Sequence, residues 1–178
     1  VRGPPETAAR FFAPGGKTVV EKVMALMIEF FGKDAPRIHH FLKVYGFAQA
    51  IARSEGLDGE PLRVIELAAL THDIGIKPSE EKYGSSAGHY QELEGPAPAR
   101  ALLAKAGCAA ETVERVAWLV AHHHSYSSIE DIDHQILVEA DFLVNIYEDG
   151  MGPAQVASVR EKVFKTPTGL MFLDQVYG

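Results

Sequence analysis

Apolar residues return every three or four positions through nearly the whole chain, a spacing that favours helices over strands. After the glycine pair at 15 and 16, Val19, Val20, Val23, Met24, Met27, Ile28 and Phe31 recur at this interval, and Gly32 ends the run. Asp34 suits the cap of a second helix and Pro36 its first turn. His40, Val44, Phe47, Ala48 and Ile51 then share one face as far as Glu55 and Gly56. Pro61 opens a third helix carrying Ile65, Ala68 and Ala69, which Gly75 and Pro78 are expected to stop. Residues 79–98 show no sustained period and read as a long loop, or a loop with a short helical piece. A fourth helix bears Ala99, Leu102, Leu103 and Ala106 and closes at Gly107. A fifth bears Val113, Val116, Leu119 and Val120 and runs into His122, His123 and His124. A sixth spans Ile129 to Ile146, with Ile136, Leu137, Ala140, Asp141 and Val144 along one stripe. A short helix follows EDGMGP, whereas KTPTGLMFLDQVYG has no readable pattern. There is no strand-rich section, internal repeat, glycine-rich phosphate loop or heptad run, so the fold class is all-α.

A length of 178 residues fits one domain over 1–178, with an apolar fraction of 47% sufficient for a core. The net charge of −7 argues against nucleic acid or an anionic membrane as partner. A small anion stays open if a bound cation reverses the local field. The single cysteine, Cys108, excludes an internal disulfide framework, and VRGPPETAARFF lacks the design of a secretory signal. Apolar runs are too short for a bilayer, so the cytoplasm is the expected compartment. An exposed apolar remainder of the first helix would support a homodimer.

Three polar positions interrupt the apolar stripes: His40, the His72–Asp73 doublet and Asp141. A carboxylate amid Ala140, Phe142, Leu143 and Val144 is costly unless an ion or strong donor compensates it. Taken singly, His40 reads as a satisfied core histidine and Asp73 as an acceptor at a helix end. As a set they offer two imidazoles and two carboxylates, suited to a divalent first-row metal. Adjacent residues of a helix point about 100° apart; a terminal turn, with freedom expected from Gly75, would let both members of the doublet face one centre.

This ordered set resembles the HD-domain metal-dependent phosphohydrolase superfamily. It is carried by His40 in RIHHFLKVYGFAQAIA, the doublet in AALTHDIG and Asp141 in ILVEADFLVNI, across residues 35–148. The resemblance implies an HD-like helical bundle with its metal-binding core in that span. It implies a divalent ion (Mn, Fe, Co, Ni, Zn or Mg) held by His40, His72, Asp73 and Asp141. It further implies hydrolysis of a small phosphate ester, nucleotide or related phosphoanhydride.

Val116, Val120 and His123 lie on nearly one helical face, so His123 should point inward, His124 should follow as the helix frays, and His122 should face outward. The competing reading is an exposed polar terminus that suits the helix dipole. By resemblance, His89, His123 and His124 would hold a second ion, with Asp73 bridging. Alternatively His89 and His123 contact phosphate at one dominant metal, making Asp73, His89 and His123 the catalytic set. Lys82, Arg100 and Glu92 are entrance candidates, and Tyr90 and Tyr126 neighbour the histidines. Many relatives carry lysine directly after the doublet's glycine; here Ile76 stands there and Lys77 follows, which weakens Lys77 as a phosphate anchor. HSYSSIEDID replaces the signature of cyclic dinucleotide phosphodiesterases, so that activity is not expected. The rival functional reading is a metal-binding, nucleotide-sensing or regulatory module with little catalysis.

Overall fold

The computed structural model describes residues 18–178, so the glycine pair at 15 and 16 and the reading of VRGPPETAARFF lie outside the described residues. Within them the chain forms helices and turns and no strand. Helix α1 (Val19–Phe31) starts on a reciprocal cap, in which Glu21 N donates to Thr18 Oγ1 and Thr18 N donates to the Glu21 carboxylate. Gly32, at φ 65°, ends it, and Asp34 caps α2 (Ala35–Ser54) through the Arg37 amide. Met27 is fully buried and Met24 packs against the core, so both fill apolar space.

Two helices form the centre. In α3 (Gly59–Thr71) every residue from Val64 to Thr71 is buried, and in α8 (Ile132–Glu148) every residue from His134 to Val144 is buried. Such all-round burial is what a helix enclosed by others requires. α2 packs on both, with Phe41, Val44, Ala48, Ile51 and Ala52 inward. His40 on α2, the doublet at the end of α3 and Asp141 on α8 therefore meet where the three central helices converge.

The stretch 79–98, expected as a long loop or a loop with a short helical piece, is mostly helical, with residues 84–87 the main non-helical break. α3 passes through a 3₁₀ turn (His72–Gly75) directly into α4 (Ile76–Tyr83), and α5 (Gly88–Glu94) precedes α6 (Pro96–Ala106). These helices bury only Ser79 in α4 and Gln91 in α5, so they carry no apolar stripe to reveal them. Pro78 lies in the first turn of α4, where proline is tolerated, and does not stop a helix. Gly84, at φ 64°, closes α4.

Gly75 also has a different purpose from the expected one. Its φ of −70° is ordinary helical backbone, so no conformational freedom is used. A Cβ there would lie 2.4 Å from the Gln91 carbonyl oxygen, because α5 crosses directly over the turn. Gly95 receives the same carbonyl from the other side, where a Cβ would lie 2.8 Å from it.

α7 (Ala110–Val120) follows α6 across Gly107, and α9 (Pro153–Lys162) and α10 (Pro167–Tyr177) complete the chain. The unreadable C-terminal stretch is thus helical, capped by Thr166. It is tied to α8 by buried Glu139, whose carboxylate accepts from the Lys165 and Thr166 amides at 2.6 and 2.8 Å. Among the described residues no helix is long and apolar enough to cross a membrane. Ile28 is exposed on α1, and Tyr147 and Val176 are exposed near the ends of α8 and α10.

Candidate metal centre

The 3₁₀ turn swings His72 and Asp73 toward one point, with His72 Nε2 3.4 Å from Asp73 Oδ2. His40 Nε2 lies 3.2 Å from His72 Nε2, 3.4 Å from Asp73 Oδ2 and 3.2 Å from Asp141 Oδ1. Asp141 Oδ1 is 3.6 Å from His72 Nε2 and buried without an aligned hydrogen bond. A first-row divalent ion bonds such nitrogens and oxygens at about 2.0–2.2 Å, which sets neighbouring donors about 3.0–3.5 Å apart. The spacings among His40, His72 and Asp73 match that shell, and Asp141 joins it through the two imidazoles, at 3.2 Å from His40 and 3.6 Å from His72.

Tautomers sharpen the fit. The His72 Nδ1–H donates to Ala69 O at 2.9 Å and the His40 Nδ1–H donates to Glu148 Oε2 at 2.7 Å. In their neutral forms both Nε2 atoms then face each other with bare lone pairs, an arrangement that requires a proton or a cation between them.

A second group adjoins the first. Asp73, His123 and His124 bring ligand atoms within 4.8 Å of one another, as do His40, His72 and Asp73. Asp73 divides its oxygens: Oδ2 faces His40 and His72, while Oδ1 lies 3.6 Å from His123 Nε2. His123 donates Nδ1–H to Val120 O at 2.8 Å, which leaves its Nε2 buried and unpartnered; His124 Nε2 is unpartnered too. Two orphaned imidazole nitrogens beside a carboxylate have the chemistry of a metal site.

Electrostatics agree. Burial opposes charge on His40, but the adjacent Asp141 carboxylate more than offsets it and raises the pKa. His72 is raised well above the usual value, its burial overcome by Asp73 and Asp141. Asp73 is half-buried, which disfavours its charge, yet the charge on His72 and the contact with His123 hold its carboxyl well below the ordinary range. Asp141 is depressed likewise, against its burial, by His40 and His72. The two carboxylates therefore recruit protons onto the imidazoles where a cation would otherwise serve. Burial, then the neighbouring His123, lowers His124 to about 4, so it is neutral at ordinary pH and free to act as a ligand.

Supporting contacts explain the histidine triplet. His122 Nδ1 donates to Trp118 O at 2.7 Å and its ring stacks on Trp118 at 4.2 Å, outside both ligand groups. Glu92 on α5 accepts from the His124 amide and from Ser125 Oγ, each at 3.0 Å. Gly88 abuts the His124 ring, where a Cβ would stand 2.8 Å away. Tyr126 OH contacts His124 Nδ1 at 2.9 Å.

His89 is not gathered into either group. It is exposed on α5, its ring 3.9 Å from that of Tyr90, which in turn stacks on Tyr83 at 4.1 Å. Among the entrance candidates Glu92 reaches the site, whereas Lys82 pairs with Glu94 and Arg100 with Glu114. Lys77 is engaged with α1, donating to Phe30 O at 3.3 Å. Arg37 and Lys43, one turn to either side of His40, are both in ion pairs, with Asp34 and Glu80 and with Glu148. Glu148 is the contact that the sequence pattern did not flag, although it follows Asp141 by two helical turns and so shares its face.

A helical bundle whose three innermost helices converge on a His–Asp cage defines a metal-dependent hydrolase. The HD domain family profile matches residues 37–153, and the chain belongs to that family. A solved structure from an uncultured Thermotogales bacterium, described as a "predicted HD superfamily hydrolase", is 28% identical with a TM-score of 0.62. The match covers 87% of this chain and 83% of that one. No curated protein sequence matches significantly.

Proposed function

We propose that this hydrolase cleaves a small phosphate ester or a nucleotide, with a first divalent ion held by His40, His72, Asp73 and Asp141. The convergence of His40, His72 and Asp73, with the buried Asp141 Oδ1 within 3.6 Å of both imidazoles, carries the reading. A second ion is assigned to Asp73, His123 and His124, on the strength of two unpartnered imidazole nitrogens. When bound, such ions supply Lewis-acid charge and an activated water. Asp73, with one oxygen toward each group, would hold both ions and orient a water for attack. With no second ion bound, the buried His123 Nε2 would instead be the contact to phosphate. His89, exposed on α5, takes the part of the substrate that extends outward, as a contact to phosphate or leaving group and not as a ligand.

Nucleoside monophosphates, nucleotides and simple phosphate esters, screened with Mn²⁺, Co²⁺, Ni²⁺, Mg²⁺ and Zn²⁺, test this. Chelator-sensitive phosphate release, abolished in Asp73→Ala, is the expected result. Nucleotide binding with no phosphate release under any ion would instead make the chain a sensing module. The number of ions is read separately from Trp118, the only tryptophan, through its stack on His122 beside His123. Two phases of Mn²⁺ quenching are expected, with one lost in His123→Ala.

A further inference from the structure

The histidines of the cage are held in two different ways. His72 and His123 each donate Nδ1–H to a carbonyl three residues earlier in their own segment, Ala69 O and Val120 O. Those bonds come with the local turn. His40 sits inside α2, and its Nδ1 is met by a carboxylate 108 positions further along the chain, Glu148 Oε2 at 2.7 Å. That distance lies in the range of charge-assisted bonds.

We propose that Glu148 is a positioning residue of the centre: its carboxylate fixes His40 as the Nδ1–H tautomer and so aims the bare Nε2 into the cage. A carboxylate oxygen only accepts, so the proton in this contact resides on His40 Nδ1. Nε2 is then left as a lone pair at 3.2 Å from both His72 Nε2 and Asp141 Oδ1. Lys43 holds the carboxylate in place from below: it pairs with Oε1 while Oε2 serves the imidazole. Lys43 follows His40 by one turn of α2, and Glu148 follows Asp141 by two turns of α8. One helix pair thus carries both a ligand couple, His40 with Asp141, and its brace, Lys43 with Glu148. The brace sits outside the cage, since Glu148 faces the side of the imidazole remote from the donors. Outer carboxylates of this kind raise ligand basicity and set ring orientation, and their loss typically costs 10–100-fold in metal affinity.

The inference rests on the metal reading of the cage, and the experiment separates the two. Glu148→Ala and Lys43→Met are compared with the unmodified protein in two measurements. The first is the tautomer of His40 in the metal-free protein on the alkaline side of its titration, where the imidazole is neutral, from long-range ¹H–¹⁵N spectra assigned with a His40→Gln variant. The second is Mn²⁺ affinity, from the EPR signal of free Mn²⁺. In the unmodified protein His40 should show Nδ1 protonated. In Glu148→Ala it should move toward the Nε2–H form, with Mn²⁺ affinity lower by tenfold or more. Lys43→Met should give a smaller loss of the same sign, and circular dichroism should remain helical throughout. Retention of the Nδ1–H tautomer in Glu148→Ala overturns the role of Glu148, whatever happens to affinity. Absence of Mn²⁺ binding by the unmodified protein overturns the metal reading instead, and the tautomer result then still decides the brace.

Discussion

The crossing of α5 over the His72–Gly75 turn offers a sharp test, because the offending atom is backbone. In Gly75→Ala the new Cβ would sit 2.4 Å from the Gln91 carbonyl oxygen and 3.0 Å from its carbonyl carbon and Cα. Carbon–oxygen contacts settle at about 3.3 Å or more, so α5 must retreat by about 1 Å. No flexible side chain can absorb that shift, and overpacking of this kind costs about 1–3 kcal/mol. For a chain of this size that corresponds to a fall of about 2–12 °C in Tm. The shift should also reach the site, since α5 carries Glu92, which holds the His124 amide, and Gly88, which abuts the His124 ring. The assay is urea and thermal unfolding of Gly75→Ala beside Gly84→Ala, combined with Mn²⁺ titration. Gly84 has φ 64° and open space around a Cβ, so its alanine variant should lose stability through backbone strain while keeping metal affinity. A Gly75→Ala protein that melts within one degree of the parent and binds Mn²⁺ equally well would refute the close-approach argument.

Three further outcomes are expected. Asp141→Asn should lower Mn²⁺ affinity at least tenfold in direct titration, whereas His122→Ala should change it less than threefold because that ring packs on Trp118. The raised His40 and His72 values stabilise the metal-free fold fully below their unfolded value of about 6.5, and that stability is lost as pH rises through the raised values. Metal-free Tm should therefore fall on going above neutrality while the Mn²⁺-induced rise in Tm grows; calorimetry showing both flat with pH would contradict it. Glu139→Ala should cost about 2–4 kcal/mol in denaturant unfolding, because the buried Thr166 amide and the part-buried Lys165 amide lose their acceptor.

The bundle was legible in the apolar stripes, and His40, the doublet and Asp141 stood out because each interrupts such a stripe, where a polar group demands a reason. What escaped notice lacked that contrast. α4 and α5 expose most of their length, so no stripe betrayed them. Glu148 stands among exposed Tyr147, Asp149 and Gly150 and looks in sequence like a solvated helix end. His89 drew attention as a histidine, yet it is its neighbour Gly88 that touches the cage, and a glycine signals contact only once its surroundings are visible. Gly75 was the right residue with the wrong purpose: sequence alone does not separate a glycine needed for its dihedral from one needed for its emptiness.

The pairing of Arg37 and Lys43 has a kinetic corollary. With both cations beside His40 already neutralised by acids, the Asp73 and Asp141 carboxylates would, without a metal and at alkaline pH, disfavour the approach of a phosphate. On the proposed function, ion loading is expected to precede substrate entry, and a rapid-mixing experiment should show a lag when phosphate ester is added before the ion.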